Sequence, residues 1–306
     1  MTPAAERSGG CVLVNLMPDA AFVASEQQWL RLIQATPGRR RLMTIPDERR
    51  STETQDHIDR HYLTPSGVVG TRADMVIVTG SEPEVADVRD ERSWSGMVEI
   101  FDWAVAHSRS LILSCQAAHA FLAHVDGLSR RRLGAKCSGV FDQHVSTDHR
   151  LARGLGDVVS LPHSRLNDVA TIEVARHGWD VLVASDAGWG VITRRLGSCR
   201  VVAVQGHFEY EADSLLREYR RDVGRYVRGE RPDFPAVPTG YFDPAQSRVI
   251  ESVRADALAG RRVDVDLLSS RAMRSRLRAP WQSRGARILS NVIEETQTAE
   301  TVLPSC

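Results

Sequence analysis

Short apolar runs, separated by amphipathic segments, recur along most of the chain. Each run spans three to six residues, which is the length of a buried strand rather than of a helix. The runs that we interpret as strands are Cys11–Leu16, Met75–Val78, Ser110–Leu113, Val181–Ala184, Val191–Thr193 and Val201–Val204.

Apolar residues at helical spacing mark the segments between and after these strands. We interpret four of them as helices: Ser25–Ala35, Trp94–His107, Ala117–His124 and Leu215–Val227. Strands that alternate with helices form a parallel sheet, because each crossover lays a helix over one face. The sequence therefore predicts an α/β fold, with a mostly parallel, flavodoxin-like sheet and helices on both faces.

The amino-acid composition of the chain changes towards its C-terminal end. Gly229–Pro244 is rich in proline and glycine and is predicted to be a loop. Beyond it, Ala245–Arg278 is rich in arginine and aspartate and has helical periodicity, whereas the polar tail Glu294–Cys306 is predicted to fray. We expect an α/β domain over residues 1–244 and a helical extension over residues 245–306 that packs on the same domain.

The composition and net charge of the chain disfavour several classes of binding partner. The 306 residues carry 39 Lys+Arg and 39 Asp+Glu, so no net charge attracts nucleic acid or an anionic membrane. No apolar run approaches a membrane span, and the N-terminus lacks the apolar core of a signal peptide. The five cysteines include no CxxC pair, which disfavours a zinc ribbon or a disulfide framework. We expect a cytoplasmic protein that binds no metal.

The segment Ser110–Phe121 carries the first candidate for chemistry. Its apolar strand ends at Ser114-Cys115, and small residues then open a helix. A cysteine on such a sharp turn stands clear of the sheet, and the helix N-terminus behind it favours a thiolate and offers N–H groups to an oxyanion. The alternative is a buried structural cysteine, which is a common occurrence after a strand.

A second candidate follows the last predicted strand, where Gly206 precedes His207, and Glu209 lies two residues later. The carboxyl ends of strands are where open α/β sheets gather their active sites. Glu209 can orient the imidazole, and His207 can act as the base for a nucleophile. A lone His-x-Glu is usually a surface feature. Combined with Cys115, it predicts a Cys/His/Glu hydrolase or transferase.

These motifs resemble the class I glutamine amidotransferase-like fold and, within it, the homoserine O-succinyl/acetyltransferase family. The resemblance runs from about Leu13 to Asn291. The matching stretches are Asn15–Pro18, Val78–Gly80, the Trp94 helix, Cys115 with Ala117-Ala118, Lys136–Val140, Pro162–Arg165, Gly206–Tyr210, Arg221–Val223 and Trp281.

The resemblance implies an acyl-CoA-dependent O-acyltransferase in which Cys115 forms a thioester. His207 would deprotonate the thiol and then the hydroxyl of L-homoserine, with Glu209 orienting it, in a ping-pong sequence. Arg221 would bind the homoserine carboxylate with two hydrogen bonds. Lys136 and Ser164 also fall on the family's substrate-binding positions. The resemblance further implies methionine biosynthesis, a homodimer, and acyl-CoA as a co-substrate with no tightly bound cofactor.

Glu84 bears on the choice of donor. Without gaps between Gly80 and Trp94, it occupies the position where the family discriminates donors, and a glutamate there resembles the acetyl-transferring members. Its carboxylate would repel the free carboxylate of a succinyl group. We therefore expect acetyl-CoA as the donor, with succinyl-CoA as the alternative.

Several features leave the function open. Asp19-Ala20 follows Met17-Pro18 where many members have Lys-Lys, so L-serine is an alternative acceptor, because one methylene changes binding by only about 1–3 kcal/mol. The motifs are also compatible with a glutamine amidotransferase-like cysteine hydrolase or a non-enzymatic binding module. Arg130–Arg132 could attract CoA phosphates or form a solvated turn. His57 and His61 lack a third metal ligand, so we expect a solvated helix or loop there.

Overall fold

Nine strands form a single sheet in the computed structural model, which describes residues 9–47, 49–67 and 71–301. The strands are β1 (Gly10–Val14), β2 (Arg39–Met43), β3 (Ala73–Val78), β4 (Ser108–Ser114), β5 (Arg131–Val145), β6 (Val158–Asp168), β7 (Asp180–Ser185), β8 (Gly188–Leu196) and β9 (Cys199–Val204). Their order across the sheet is β2-β1-β3-β4-β9-β8-β7-β5-β6.

One half of the sheet is parallel. Strands β2, β1, β3, β4 and β9 are neighbours that run in the same direction. The residues of β1, and nearly all those of β3, β4 and β9, are buried whichever face they point to, as expected for parallel strands covered on both sides. Their carboxyl ends therefore meet along one edge of the sheet.

The other half is antiparallel. Strands β8, β7, β5 and β6 each pair antiparallel with their neighbours. Strand β5 meets β7 only at His144 and Val145, whereas it pairs with β6 from Arg131 to His144. Because β7 runs in the same direction as β9, the unmatched part of β5 projects beyond the carboxyl edge. We call this projecting pair, residues 131–143 with 159–168, the β5–β6 wall.

Nine α-helices accompany the sheet in the described part of the chain. They are α1 (Asp19–Leu32), α2 (Thr52–His61), α3 (Trp94–His107), α4 (Gln116–Asp126), α5 (Thr171–Arg176), α6 (Ser214–Val227), α7 (Pro244–Leu258), α8 (Arg271–Arg274) and α9 (Pro280–Thr301). Short 3-10 helices lie at Pro65–Gly67, Val88–Asp90, Arg150–Ala152 and Val265–Ser269. Among the described residues, no helix is long and apolar enough to span a membrane.

The helices bury two separate apolar layers against the sheet. One layer joins β1, β3 and β4 to α3 and α4 through residues such as Phe101 and Phe121. The second layer lies on the opposite face and includes Trp29 of α1 and Ile288 of α9. A smaller cluster joins α6 to α7 and α8. The predicted α/β fold with a mostly parallel central sheet and helices on both faces is confirmed.

The long helix α9 also supports the turn after β9. Trp281 Nε1 and Gln282 Nε2 both donate hydrogen bonds to the Tyr210 carbonyl oxygen, at 2.7 and 3.0 Å. A Cβ atom on Gly285 would lie 2.4 Å from the Cβ atom of Phe208, so only glycine allows the helix to approach this closely. The C-terminal helix therefore packs directly on the segment that holds His207.

The predicted strands all occur, with shifted ends, and three further strands, β2, β5 and β6, were not predicted. Gly229–Pro244 is largely without regular structure, as expected, and Ala245–Arg278 divides into α7, a 3-10 helix and α8. The prediction of a frayed tail is wrong for residues 294–301, which continue α9. Residues 302–306 lie outside the described residues.

Candidate active site

Cys115 sits at the turn between β4 and α4 in a backbone conformation that L-residues rarely adopt. Its φ and ψ angles are 48° and −106°, and no other non-glycine residue with positive φ occurs in the described ranges. Its amide donates a 2.7 Å hydrogen bond to the Val204 carbonyl oxygen of β9. Such strain persists only where the surroundings enforce it, and it is typical of functional residues.

Gly80, just after β3, lies against this turn. A Cβ atom placed on Gly80 would come within 3.4 Å of both the Cys115 Cβ atom and the Ser114 carbonyl oxygen, and within 3.7 Å of the Gln116 amide nitrogen. The absence of a side chain leaves room beside the nucleophile and the first amide of α4. Unpaired amides at a helix N-terminus can stabilise a developing oxyanion.

His207 lies three residues beyond β9, and its ring is held at one nitrogen and on one face. Its Nδ1 atom and Glu209 Oε1 are 2.8 Å apart, and its ring stacks on that of Tyr210 with 4.2 Å between centroids. Its backbone amide donates to the Pro162 carbonyl oxygen of β6 at 2.9 Å. His207 and Glu209 are both buried, so these contacts fix the ring orientation.

The electrostatics around His207 favour its charged form. Burial disfavours the imidazolium, but the Glu209 carboxylate and the Cys115 thiol outweigh burial and raise the pKa of His207 to about 10. No atom in the described part of the chain makes a well-formed hydrogen bond to Nε2, although Cys115 is near enough to stabilise the charge. The arrangement can hold a thiol proton on the imidazole.

Lys136 and Ser164 reach a common partner from the β5–β6 wall. Lys136 Nζ lies 3.1 Å from Glu218 Oε2 and 3.3 Å from Asp222 Oδ2, and the Ser164 hydroxyl donates to Glu218 Oε2. Tyr210 donates its hydroxyl proton to Glu218 Oε1 at 2.5 Å. Burial alone would raise the pKa of Glu218, but Lys136, Ser164 and Tyr210 together lower it.

Arg221 lies one helical turn after Glu218 on α6. Its Nε and Nη2 atoms donate to Asp222 Oδ1 at 3.0 and 2.9 Å, and its side chain is partly exposed. The negative charges of Asp222 and Glu218 raise the pKa of Arg221 against the effect of burial. The structure thus brings Lys136, Ser164 and Arg221 together around two carboxylates.

The sequence interpretation missed Glu218 and Tyr210. Glu218 is three residues before Arg221, so the two share a helix face, and this spacing could have identified it. Tyr210 directly follows Glu209. Its stacking on His207 and its bond to Glu218 connect the base to the group that holds Lys136 and Ser164.

Glu84 lies in the irregular segment between β3 and the 3-10 helix Val88–Asp90. Its carboxylate is 2.7 Å from Arg49 Nη1, and Arg49 is also held by both oxygens of Asp47. Because a guanidinium partly neutralises Glu84, the position does not present the bare negative charge that the donor argument assumed.

The structure also shows the surroundings of two other groups that the sequence singled out. His57 pairs with buried Glu26, at 2.7 Å between Nε2 and Oε2, and its ring packs on His61. The described residues contain no group of three or more side chains placed to hold a metal ion. Arg130 is buried in an ion pair with Glu91, so neither a solvated turn nor a free phosphate-binding cation describes it.

Comparisons with known proteins identify the family of this chain. A family model described as homoserine O-succinyltransferase matches residues 6–299. The homoserine O-succinyltransferase of Rhodopseudomonas palustris is 44% identical over 254 residues, covering 81% of this chain and 76% of the relative. That of Bradyrhizobium japonicum is 40% identical over 255 residues, covering 81% and 78%.

Solved structures resemble the fold alone. A glutamine amidotransferase from Methylobacillus flagellatus matches with a TM-score of 0.54 at 14% identity, over 94% of both chains. A glutamine amidotransferase from Thermotoga maritima matches with a TM-score of 0.50 at 11% identity, over 93% of this chain and 98% of its own. These matches confirm the class I glutamine amidotransferase-like architecture.

The relatives' names overturn one prediction. They are homoserine O-succinyltransferases, so the prediction of an acetyl donor, which rested on Glu84, is wrong. A physical reason is that Glu84 is exposed to water and paired with Arg49, so solvent and the guanidinium both weaken its repulsion of an incoming carboxylate. From the family model and the relatives together, this chain belongs to the homoserine O-succinyltransferase family, whose members are homoserine acyltransferases.

Proposed function

We propose that this protein transfers the succinyl group of succinyl-CoA to the hydroxyl of L-homoserine through a thioester on Cys115. The observation that carries the proposal is the strained Cys115 beside an imidazole that Glu209 orients and keeps charged. The names of the relatives support succinyl as the acyl group.

In the first half-reaction the Cys115 thiolate attacks the thioester carbonyl of succinyl-CoA. His207, which holds the thiol proton, donates it to the sulfur of CoA as the bond to the acyl carbon breaks. The tetrahedral oxyanion lies at the N-terminus of α4, in the space that Gly80 leaves open. The products are the acyl-enzyme, free CoA and a neutral His207.

In the second half-reaction neutral His207 removes the proton from the homoserine hydroxyl. The oxygen attacks the acyl-enzyme, and Cys115 leaves as a thiolate beside the newly formed imidazolium. Glu209 hydrogen-bonds Nδ1 throughout, so that Nε2 alone exchanges the proton. The cycle closes on the starting ion pair of thiolate and imidazolium.

The cluster at the β5–β6 wall is suited to an amino acid. Arg221 offers a partly exposed guanidinium for the homoserine carboxylate. Glu218, kept ionised by its neighbours, supplies negative charge for the ammonium group. Tyr210 links Glu218 to the His207 ring, and this contact supports a binding position for the acceptor next to the base.

The test is an assay of free thiol released from acyl-CoA, in which succinyl-CoA and acetyl-CoA are each combined with L-homoserine or L-serine. We expect turnover of succinyl-CoA with homoserine, and loss of turnover in Cys115→Ala. Intact-protein mass spectrometry without acceptor should show one succinyl group on the wild type and none on the variant.

Different outcomes would change the proposal in defined ways. Turnover only with serine would keep the acyl transfer and replace the acceptor. The absence of thiol release with every pair, together with ammonia release from L-glutamine, would replace the transferase by a cysteine hydrolase.

A further inference from the structure

His119 is a buried titratable side chain that neither the proposed chemistry nor the cluster around Glu218 uses. It lies one turn after Cys115 on α4 and is 2% exposed. Burial lowers the pKa of its imidazole to about 4, so the ring is neutral at pH 7. A buried N–H group costs free energy unless it has a hydrogen-bond partner. The partner of this imidazole therefore indicates what the side chain does.

The partner is Gln205, the first residue after β9. His119 Nε2 and Gln205 Oε1 are 2.8 Å apart. Gln205 Nε2 donates to the Trp189 carbonyl oxygen at 3.0 Å. Because a carbonyl can only accept, this bond identifies Oε1 as the acceptor that faces His119. His119 therefore carries its proton on Nε2 and donates it to Gln205, while the Trp189 ring packs edge-on against the imidazole.

This hydrogen bond closes a ring of contacts around the backbone of Cys115. The Cys115 amide donates to the Val204 carbonyl oxygen at 2.7 Å, and the Cys115 carbonyl oxygen accepts from the His119 amide at 3.2 Å. Val204 immediately precedes Gln205 in the sequence. The backbone of Cys115 is thus held by β9 on one side and by α4 on the other. The bond between His119 and Gln205 joins these two supports to each other.

The same bond connects the nucleophile to the base. Gln205 is two residues before His207, and its amide donates to the Gly190 carbonyl oxygen at 2.9 Å, which continues the pairing of β8 with β9. The turn that carries His207 therefore begins at the residue that α4 holds. A strained conformation such as the φ of 48° at Cys115 persists only where surrounding contacts enforce it. Loss of the contact between α4 and Gln205 would loosen both reacting groups.

We propose that His119 and Gln205 are positioning residues that hold the strained Cys115 backbone and its placement beside His207. Their side chains bond to each other and to Trp189, so both act through the backbone of the reacting residues. Small misplacements of reacting groups cost large factors in rate. The inference rests on the proposed function, in which Cys115 and His207 are the nucleophile and the base.

The experiment compares two neutral amide substitutions of His119 that differ in reach. In His119→Gln the amide nitrogen is separated from Cβ by as many bonds as Nε2 is, so it can still donate to Gln205. In His119→Asn the amide nitrogen takes the place of Nδ1 and falls short of Gln205. The matched control is Thr193→Val in β8, which conserves the shape of the side chain but removes a buried hydrogen bond to the Val201 carbonyl oxygen at 2.8 Å.

In His119→Asn we expect the rate of Cys115 alkylation by iodoacetamide, and kcat/KM for both succinyl-CoA and L-homoserine, to fall by about 10- to 100-fold. The two kinetic values fall together because Cys115 and His207 act in both half-reactions. His119→Gln should stay within about threefold of the wild type, because it retains the hydrogen bond. Thr193→Val should lower Tm and leave the alkylation rate unchanged. Gln205→Met removes the same bond from the other side and repeats the test if His119→Asn does not fold.

Equal alkylation rates in the two His119 variants would overturn the proposal. A fall in Thr193→Val as large as that in His119→Asn would also overturn it, because the effect would then follow from lost stability. Alkylation needs no turnover, so it tests the positioning of Cys115 even if the wild type releases no thiol from any acyl-CoA. That last result would refute the proposed function and leave the positioning role to be decided by the alkylation rates.

Discussion

The carboxylate of Glu209 accounts for much of the charge on the imidazole beside it. It contacts His207 Nδ1 at 2.8 Å and contributes to raising the pKa of His207 to about 10. Between the ordinary imidazole pKa of about 6.5 and this raised value, His207 keeps its proton in the folded protein. The proton is lost as the pH rises through the raised pKa.

Replacement of Glu209 by Gln should therefore lower the pKa of His207 and weaken the thiolate–imidazolium pair. We expect the rate of Cys115 alkylation by iodoacetamide at pH 7 to fall by about tenfold or more. As the pH rises, the imidazolium of His207 should be lost at a lower pH in the variant than in the wild type, because the Glu209 carboxylate no longer raises its pKa. An unchanged pH profile in the variant would show that Glu209 does not set this charge.

Arg49 offers a second test at the scale of single residues. Removal of its guanidinium in Arg49→Ala leaves the Glu84 carboxylate without the partner it now has at 2.7 Å. An exposed ion pair is worth up to about 1 kcal/mol, so we expect kcat/KM for succinyl-CoA to fall about three- to fivefold. The second change Glu84→Gln should restore it. No rescue by Glu84→Gln would show that the two charges do not act on the donor.

The placement of the candidate catalytic residues was predictable where the signal is local in the sequence. Cys115 and the His207-x-Glu209 motif follow apolar strands, so their neighbours alone indicate a nucleophile and a base. Glu84 was misleading for the opposite reason, because its partner Arg49 is 35 residues away along the chain. A charge cannot be assessed from sequence when a distant residue neutralises it.

Helix α6 presents Glu218 and Arg221 from adjacent turns, and in the proposed function these two residues bind the acceptor. In Glu218→Gln the amide keeps most hydrogen-bonding positions but loses the charge that faces Lys136 at 3.1 Å. We expect KM for L-homoserine to rise about tenfold or more, since charged hydrogen bonds contribute about 1.5–3 kcal/mol. Acylation of Cys115 by succinyl-CoA, measured as the CoA released in the absence of acceptor, should change little. A fall in acylation as large as the change in KM would contradict this assignment.

The elements that were missed share a physical cause. Edge strand β2 has the sequence RRRLM, and the projecting β5 mixes arginine, glycine and lysine, because neither is buried on both faces. Runs of apolar residues report burial, so they revealed the central strands and missed the β5–β6 wall, where Lys136 and Ser164 lie. Helix α9 lies within the predicted helical extension, but its bounds were not predicted, because its buried side, with Trp281 and Val292, alternates with polar residues.

At the scale of the whole molecule, α9 packs on the turn that carries His207, although the two are more than 70 residues apart in the sequence. Gly285→Ala would place a Cβ atom 2.4 Å from that of Phe208, and one of the two backbones would have to move to relieve this overlap. We expect the free energy of unfolding to fall by about 1–3 kcal/mol, which thermal melting measures. We also expect kcat to fall in the thiol-release assay, because His207 acts in both half-reactions.

The matched control for this prediction is Gly224→Ala within α6, where only the flexible end of Arg228 lies nearby. It should stabilise the fold by up to about 1 kcal/mol, because alanine favours helix more than glycine does. Equal effects of the two substitutions on kcat would contradict a specific contact between α9 and the His207 turn. The homodimer that the family resemblance implies and the cytoplasmic location expected from the sequence stay predictions.

Lys136 has a practical consequence for chemical labelling. It is the only lysine among the 306 residues, and its ammonium group lies between Glu218 and Asp222. An amine-directed reagent therefore has a single side chain to modify, in addition to the terminal α-amino group. If homoserine binds at this cluster, a bound acceptor should shield that amine, and the extent of labelling in one peptide then measures occupancy of the site without any turnover.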